Sequence, residues 1–169
     1  MYDEPMSAPD GPSLQEQFLR SGGRPVVIAG RTIVQMDRIG IPDTAQIIIR
    51  FVSKGICEGN AVVIALPKPG RIILSDGTAV QALKIWDDPA LPREATYKVE
   101  ASGQLLQVYN KYRTRHGPDF VTEDNFTGNA GMIVTDLQPD CRLYECSNGP
   151  GKFSPADLVF EITWRALID

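Results

Sequence analysis

An all-β fold, an antiparallel β-sandwich of jelly-roll or Ig-like type with one short N-terminal helix, follows from three features of the chain. Short apolar runs recur from Pro25 onward, with turn signals every ~8–12 residues, the spacing of sandwiches and barrels. Several runs alternate apolar and polar residues, the period of a strand with one solvated face. Long stretches of helical period, which a doubly wound α/β fold needs, are missing from the sequence.

The elements follow in order. Met1–Pro12 is rich in Pro, Asp and Ser and lacks apolar periodicity, so a flexible N-terminal tail over residues 1–12 is expected. Ser13-Leu14-Gln15-Glu16 fits a capping box, and Gly22-Gly23 supplies a stop, which predicts a helix over Leu14–Arg20. Leu14 and Phe18 stand four apart and can dock together. Strands are predicted over Val26–Ala29, Thr32–Gln35, Ala45–Val52, Ala61–Leu66, Arg71–Leu74 and Thr78–Ile85. Further strands are predicted over Thr96–Ala101, Leu105–Thr114, Phe120–Asn125, Met132–Asp136, Arg142–Cys146 and Leu158–Trp164. Asp76-Gly77 between two apolar runs marks a hairpin. Ser102-Gly103, Gly117-Pro118, Pro139-Asp140 and Asn148–Gly151 mark other turns. Leu158, Phe160, Ile162 and Trp164 share one face of the last strand. Ala61–Leu66 is apolar on both faces, as a central strand should be. Val26–Ala29 recurs as Val62–Ala65, which β-rich composition explains without a repeat architecture.

The chain has 169 residues, enough for one domain with a real core, expected over residues 13–169. A formal charge of -4 argues against a general nucleic-acid binder. No apolar run approaches the length of a membrane span, and no secretory pattern is visible at the N-terminus. Three cysteines leave at least one unpaired, which suits a reducing compartment, so a cytoplasmic protein without nucleic-acid or membrane partners is expected. Asn125-Phe126-Thr127 then matches a glycosylation sequon by chance.

Gln107–Met132 carries the strongest functional signal. On a strand, Tyr109, Lys111, Arg113 and Arg115 form one basic stripe headed by an aromatic. Such a stripe suits an anionic or carboxylate-bearing partner, because Arg presents a planar fork to carboxylates. The plainer alternative is a salt-laced hairpin. A turn at His116–Asp119 that pairs Arg115 with Phe120 puts Lys111 opposite Asp124 and Arg113 opposite Thr122. That register leaves Arg113 and Arg115 without an acid directly opposite.

Catalytic signals are thin. His116 is the only histidine and sits beside Gly117-Pro118, where an exposed loop residue is expected. Asp119, Glu123 and Asp124 lack the spacing of a calcium loop. Cys141 and Cys146 are five apart and face opposite sides of one strand, so neither a disulfide nor a joint zinc site follows. Cys57 lies in a Gly-flanked loop and reads as a small hydrophobe rather than a nucleophile. Gly149-Pro150-Gly151-Lys152 fails the phosphate-loop pattern at Cys146 and Phe153. No cofactor, metal or catalytic residue is therefore assigned.

The leading expectation is a non-catalytic accessory or immunity-like module. It would recognise a peptide or protein partner through a sheet edge and the stripe. Tyr109, Lys111, Arg113, Arg115 and Tyr112 would contribute, with Trp86 as a platform and Asn129 at a Gly-rich rim. A sheet edge could also pair two copies into a homodimer. A lectin-like sandwich binding carbohydrate or a small molecule on Trp86, Tyr109 and Tyr112 is the alternative. An enzyme built on Asp119, Glu123 or Asp124 comes third.

Overall fold

A computed structural model describes residues 11–53 and 59–168. Residues 1–10 of the expected tail, and Cys57, lie outside the described residues. The one helix among them, α1 (Leu14–Ser21), is set by its ends. Ser13 accepts the Glu16 N–H at 3.2 Å, half of the capping box. Gly22, at φ 67°, turns the chain left-handed and stops the helix. Its Leu14 and Phe18 are buried against Ile33 and Ile133.

In chain order the strands are β1 (Val26–Ile28), β2 (Arg31–Ile33), β3 (Asp37–Ile39), β4 (Thr44–Ser53), β5 (Asn60–Ala65), β6 (Arg71–Ile73) and β7 (Ala79–Val80). They continue as β8 (Ala82–Trp86), β9 (Glu94–Glu100), β10 (Leu106–Arg115), β11 (Val121–Asp124), β12 (Gly131–Gln138), β13 (Cys141–Ser147) and β14 (Leu158–Ala166). A seven-stranded sheet has the order β12-β13-β14-β4-β9-β6-β7. A five-stranded sheet runs β11-β10-β5-β8, with β3 also paired to β10. β1 and β2 form a small ribbon under α1. All pairings are antiparallel. The chain is therefore an all-β antiparallel sandwich with one short helix, as the alternation predicts.

The inward faces meet in a single core that includes Ile47, Ile49, Val62, Ile64, Phe160 and Ile162. β14 buries Leu158, Phe160, Ile162 and Trp164 and leaves the intervening residues half-buried. β5 is paired on both sides, by β10 and β8, in keeping with its apolar sequence. The Asp76-Gly77 turn forms as expected. Asp76 accepts the Thr78 N–H at 2.9 Å, and Gly77 takes φ 86°.

Two elements differ from the sequence reading. The run Thr78–Ile85 is not one strand. It breaks at Gln81, so that β7 joins the seven-stranded sheet and β8 the five-stranded one. A strand that changes sheet makes a corner of the sandwich, and both halves stay apolar because both serve the same core. β3 was not expected, because Asp37-Arg38-Ile39 has no apolar run and buries only Ile39.

Asp37 nonetheless ties the sheets together. It projects from β3 to β13, where its Oδ2 accepts from the Tyr144 hydroxyl at 2.7 Å and from Arg142 Nη1 at 2.8 Å. Arg142 also donates to Asp136 at 2.8 Å. Tyr144 is fully buried and stacks on Phe160 at 4.7 Å. Burial, reinforced by the Asp37 carboxylate, holds its phenol protonated far above the usual range. No helix among the described residues is long and apolar enough to cross a membrane.

Candidate functional site

β10 has strand neighbours on both sides, and strand alternation divides its residues cleanly. Leu106, Val108, Asn110 and Tyr112 point into the sandwich and are buried. Tyr109, Lys111, Arg113 and Arg115 occupy the outer face. The register then places Val63 and Lys84 beside Tyr109, and Ala61 and Trp86 beside Lys111, all on that same face. The site is thus built from β8, β5, β10 and β11, not from β10 alone.

Ala61 and Val63 are 0% and 3% exposed although they lie on the outer face of the sheet. Longer neighbours flank them in the same rows. The stem of Arg113 runs across Gly59, where an added Cβ would stand 2.9 Å from Arg113 Cδ. Its guanidinium then lies on the Trp86 ring, 4.0 Å from the centroid. Lys84 Nζ is 5.2 Å from the same ring and ion-paired to Glu123 at 2.5 Å. Long side chains with apolar stems cover small neighbours in this way and keep their charges in water.

The expected hairpin register is off by one residue. His116 and Phe120 close the turn, with the His116 N–H donating to the Phe120 carbonyl at 2.8 Å. Their rings also touch, with centroids 5.3 Å apart. Gly117, Pro118 and Asp119 therefore form a three-residue tip, and Arg115 pairs with Val121 rather than Phe120. A one-residue slip moves every side chain of β11 to the other face. Asp124 now stands opposite Tyr112, and Glu123 opposite Arg113. Lys111 donates to Asn125 at 2.9 Å instead of meeting Asp124. Arg115 donates to the Pro118 carbonyl at 3.3 Å.

Two expected site residues are not on this face. Tyr112 is fully buried, and its hydroxyl lies 2.5 Å from Thr127 Oγ1. It is one residue out of phase with the odd-numbered stripe, and the even positions of β10 point inward, so it is no surface platform. Asn129 fastens α1 to the body. Its Oδ1 accepts the Leu14 N–H at 3.0 Å and its Nδ2 donates to the Gly151 carbonyl at 2.6 Å. Trp86 is half-buried, and its face is covered by Arg113.

Two acids of β11 are held below their ordinary range, chiefly by hydrogen bonds. Lys84 chiefly holds the Glu123 carboxyl below the usual range, and Lys111 and Arg113 add to the effect. Asp124 is held low first by the Thr122 hydroxyl, then by Thr114, with His116 and Lys111 contributing. His116 Nε2 lies 2.8 Å from Thr122 Oγ1, and that hydroxyl donates to Asp124 at 2.7 Å. The direction matters. With its proton on Asp124, the Thr122 oxygen accepts from the imidazole, whereas an activated nucleophile donates to it. Among the described residues, no group of three or more His, Cys, Asp or Glu side chains could hold a metal ion.

One neighbour of the stripe has a weak sequence signal. Phe126 packs against Tyr109 with ring centroids 4.9 Å apart and planes tilted by 48°, and it holds φ 60°, a left-handed conformation unusual for an aromatic. The Gly128-Asn129-Ala130-Gly131 run that follows, whose composition predicts a bulge or wide turn, is that signal. Phe126 also lines an open groove of about 360 Å³ against Phe18 and Leu19 of α1. Lys84 could have been found by parity, two residues before Trp86.

No family model matches the chain, and neither a curated protein nor a solved structure is significantly similar to it.

Proposed function

We propose that the chain is a non-catalytic binding module that captures an extended, carboxylate-bearing segment of a peptide or protein partner. The observation that carries this reading is the charge on the outer face. Lys84, Lys111, Arg113 and Arg115 gather there against Glu123. β8 ends the five-stranded sheet in its strand order and holds Lys84 and Trp86 at that edge. An extended segment added to β8 would gain main-chain hydrogen bonds from the edge and carboxylate contacts from the cations. A sugar-binding reading is less well supported, because Arg113 covers the ring that a sugar would stack on. The module would work in the cytoplasm, which suits the free thiols of Cys141 and Cys146.

The test uses short fluorescein-labelled acidic peptides and fluorescence anisotropy. Arg113→Glu and Lys84→Glu should each weaken binding at least about tenfold, the cost of losing one charge-assisted contact. Raising the salt should weaken it too, since exposed charges are screened. Methylating alternate peptide nitrogens should also reduce it, by removing strand hydrogen bonds. Binding that ignores both charge reversals would sink the reading.

A further inference from the structure

Phe126 is held in a costly backbone conformation at φ 60°. Left-handed backbone at a bulky residue is strained and persists where surrounding structure enforces it. Here the enforcement is visible. Gly128, next but one, is itself left-handed, and an added Cβ there would collide with the Gly149 carbonyl. Gln15 takes the Gly128 N–H at 3.0 Å and so ties this turn to α1. The result aims one ring at two neighbours: it packs on Tyr109 at the head of the stripe, and it lines the groove beside Phe18 and Leu19.

The groove is about 360 Å³, within the ~300–1,000 Å³ range of ligand pockets. Its apolar wall is Phe18, Leu19 and Phe126, and Gln15 and Gln35 stand at its rim. Leu19 is 75% exposed, although it sits on a helix whose other apolar residues are buried. Beside it, Phe126 and the edge of Phe18 extend the apolar surface into the groove. The groove and the stripe are continuous through the Phe126–Tyr109 contact, and the stripe selects for acids.

We infer that the groove between α1 and Phe126 is a second subsite of the same partner segment, taking one large apolar side chain next to its acidic residues. This deepens the acidic-segment reading above and rests on it. The partner class becomes an acidic segment with a single Phe- or Leu-type anchor. The charges set orientation and the anchor adds affinity, since burying one such side chain is worth roughly tenfold or more.

Two labelled Glu/Ser peptides, one with a central Phe and the other with Ala in its place, separate the possibilities with the full chain. The Phe peptide should bind about tenfold or more tightly. Leu19→Glu, at an exposed position, should erase that advantage, so that the two peptides bind alike. Arg113→Glu should weaken both. Circular dichroism melts of both variants establish that they are folded. Equal binding of the two peptides, with Arg113 still required, overturns the groove subsite and spares the acidic-segment reading. Loss of the Phe advantage in Arg113→Glu but not in Leu19→Glu also overturns the subsite. Binding of neither peptide, or preference for a single-stranded oligonucleotide on the same residues, overturns both.

Discussion

The Arg113 guanidinium lies on Trp86 although Glu123 stands directly opposite it on β11. The Glu123 carboxylate is already held by Lys84, and Gly59 leaves room for the Arg113 stem to cross the sheet. A stacked cation at an exposed site contributes only about 0.5–1 kcal/mol, so the arrangement adds little to stability. Arg113→Ala should therefore change the Trp86 fluorescence clearly while the melting temperature moves little. A fall of many degrees would show that the stack is structural. Acid titration tests the same cluster. The folded-state pKa values of Glu123 and Asp124 lie below their ordinary 4.5 and 3.8, so the folded form binds fewer protons than the unfolded one. Their stabilisation is complete above those ordinary values and is lost as pH falls through the depressed folded ones. Urea midpoints measured across that window should drop, and less steeply in Glu123→Gln. Parity along β10 was legible in the sequence and placed the stripe on one face. The same parity excludes Tyr112, which alternates with Tyr109 and points into the core.

At the scale of elements, α1 seats over β12 through a close approach at Gly131. An added Cβ on Gly131 would stand 2.6 Å from Ile33 Cγ2 and 3.3 Å from Leu14 Cδ1. β12 can pass under the helix only because that position is bare. Gly131→Ala should cost about 1–3 kcal/mol through overpacking, read as a lower urea midpoint. Because the helix forms one wall of the groove, the same variant should also lose the preference for a Phe-bearing peptide. The helix itself was legible from Ser13, Glu16 and Gly22, since capping is local chemistry. The β10–β11 register was not. It depends on which residues close the hairpin, and Gly117-Pro118 permits more than one choice. The bond between His116 and Phe120 made that choice and moved Glu123 onto the outer face.

For the whole molecule, the two sheets are joined by an apolar core and by the Asp37 bridge to Tyr144 and Arg142. Asp37→Ala leaves a buried phenol without its acceptor and removes one of the two carboxylates that pair with Arg142, so a loss of about 1–3 kcal/mol is expected. Denaturant melts monitored by tyrosine absorbance would check it. An unchanged midpoint would mean the bridge is incidental. At alkaline pH the raised Tyr144 pKa has the opposite sign to the carboxylates. Its contribution is present below the ordinary value of 10.0 and is lost as pH rises toward the folded one.

By itself the sequence determined the fold class, most strands, the capped helix and the face shared by Tyr109, Lys111, Arg113 and Arg115. Those properties rest on local periodicity and backbone chemistry, which each segment carries within itself. The order of the strands within each sheet remained open. Only the tertiary structure decided it, together with the sheet change at Gln81, the hairpin register and the meeting of Arg113 with Trp86. These depend on contacts between segments far apart in the chain. Such contacts are chosen by how the whole set of apolar faces closes on one core, and no single segment encodes that choice.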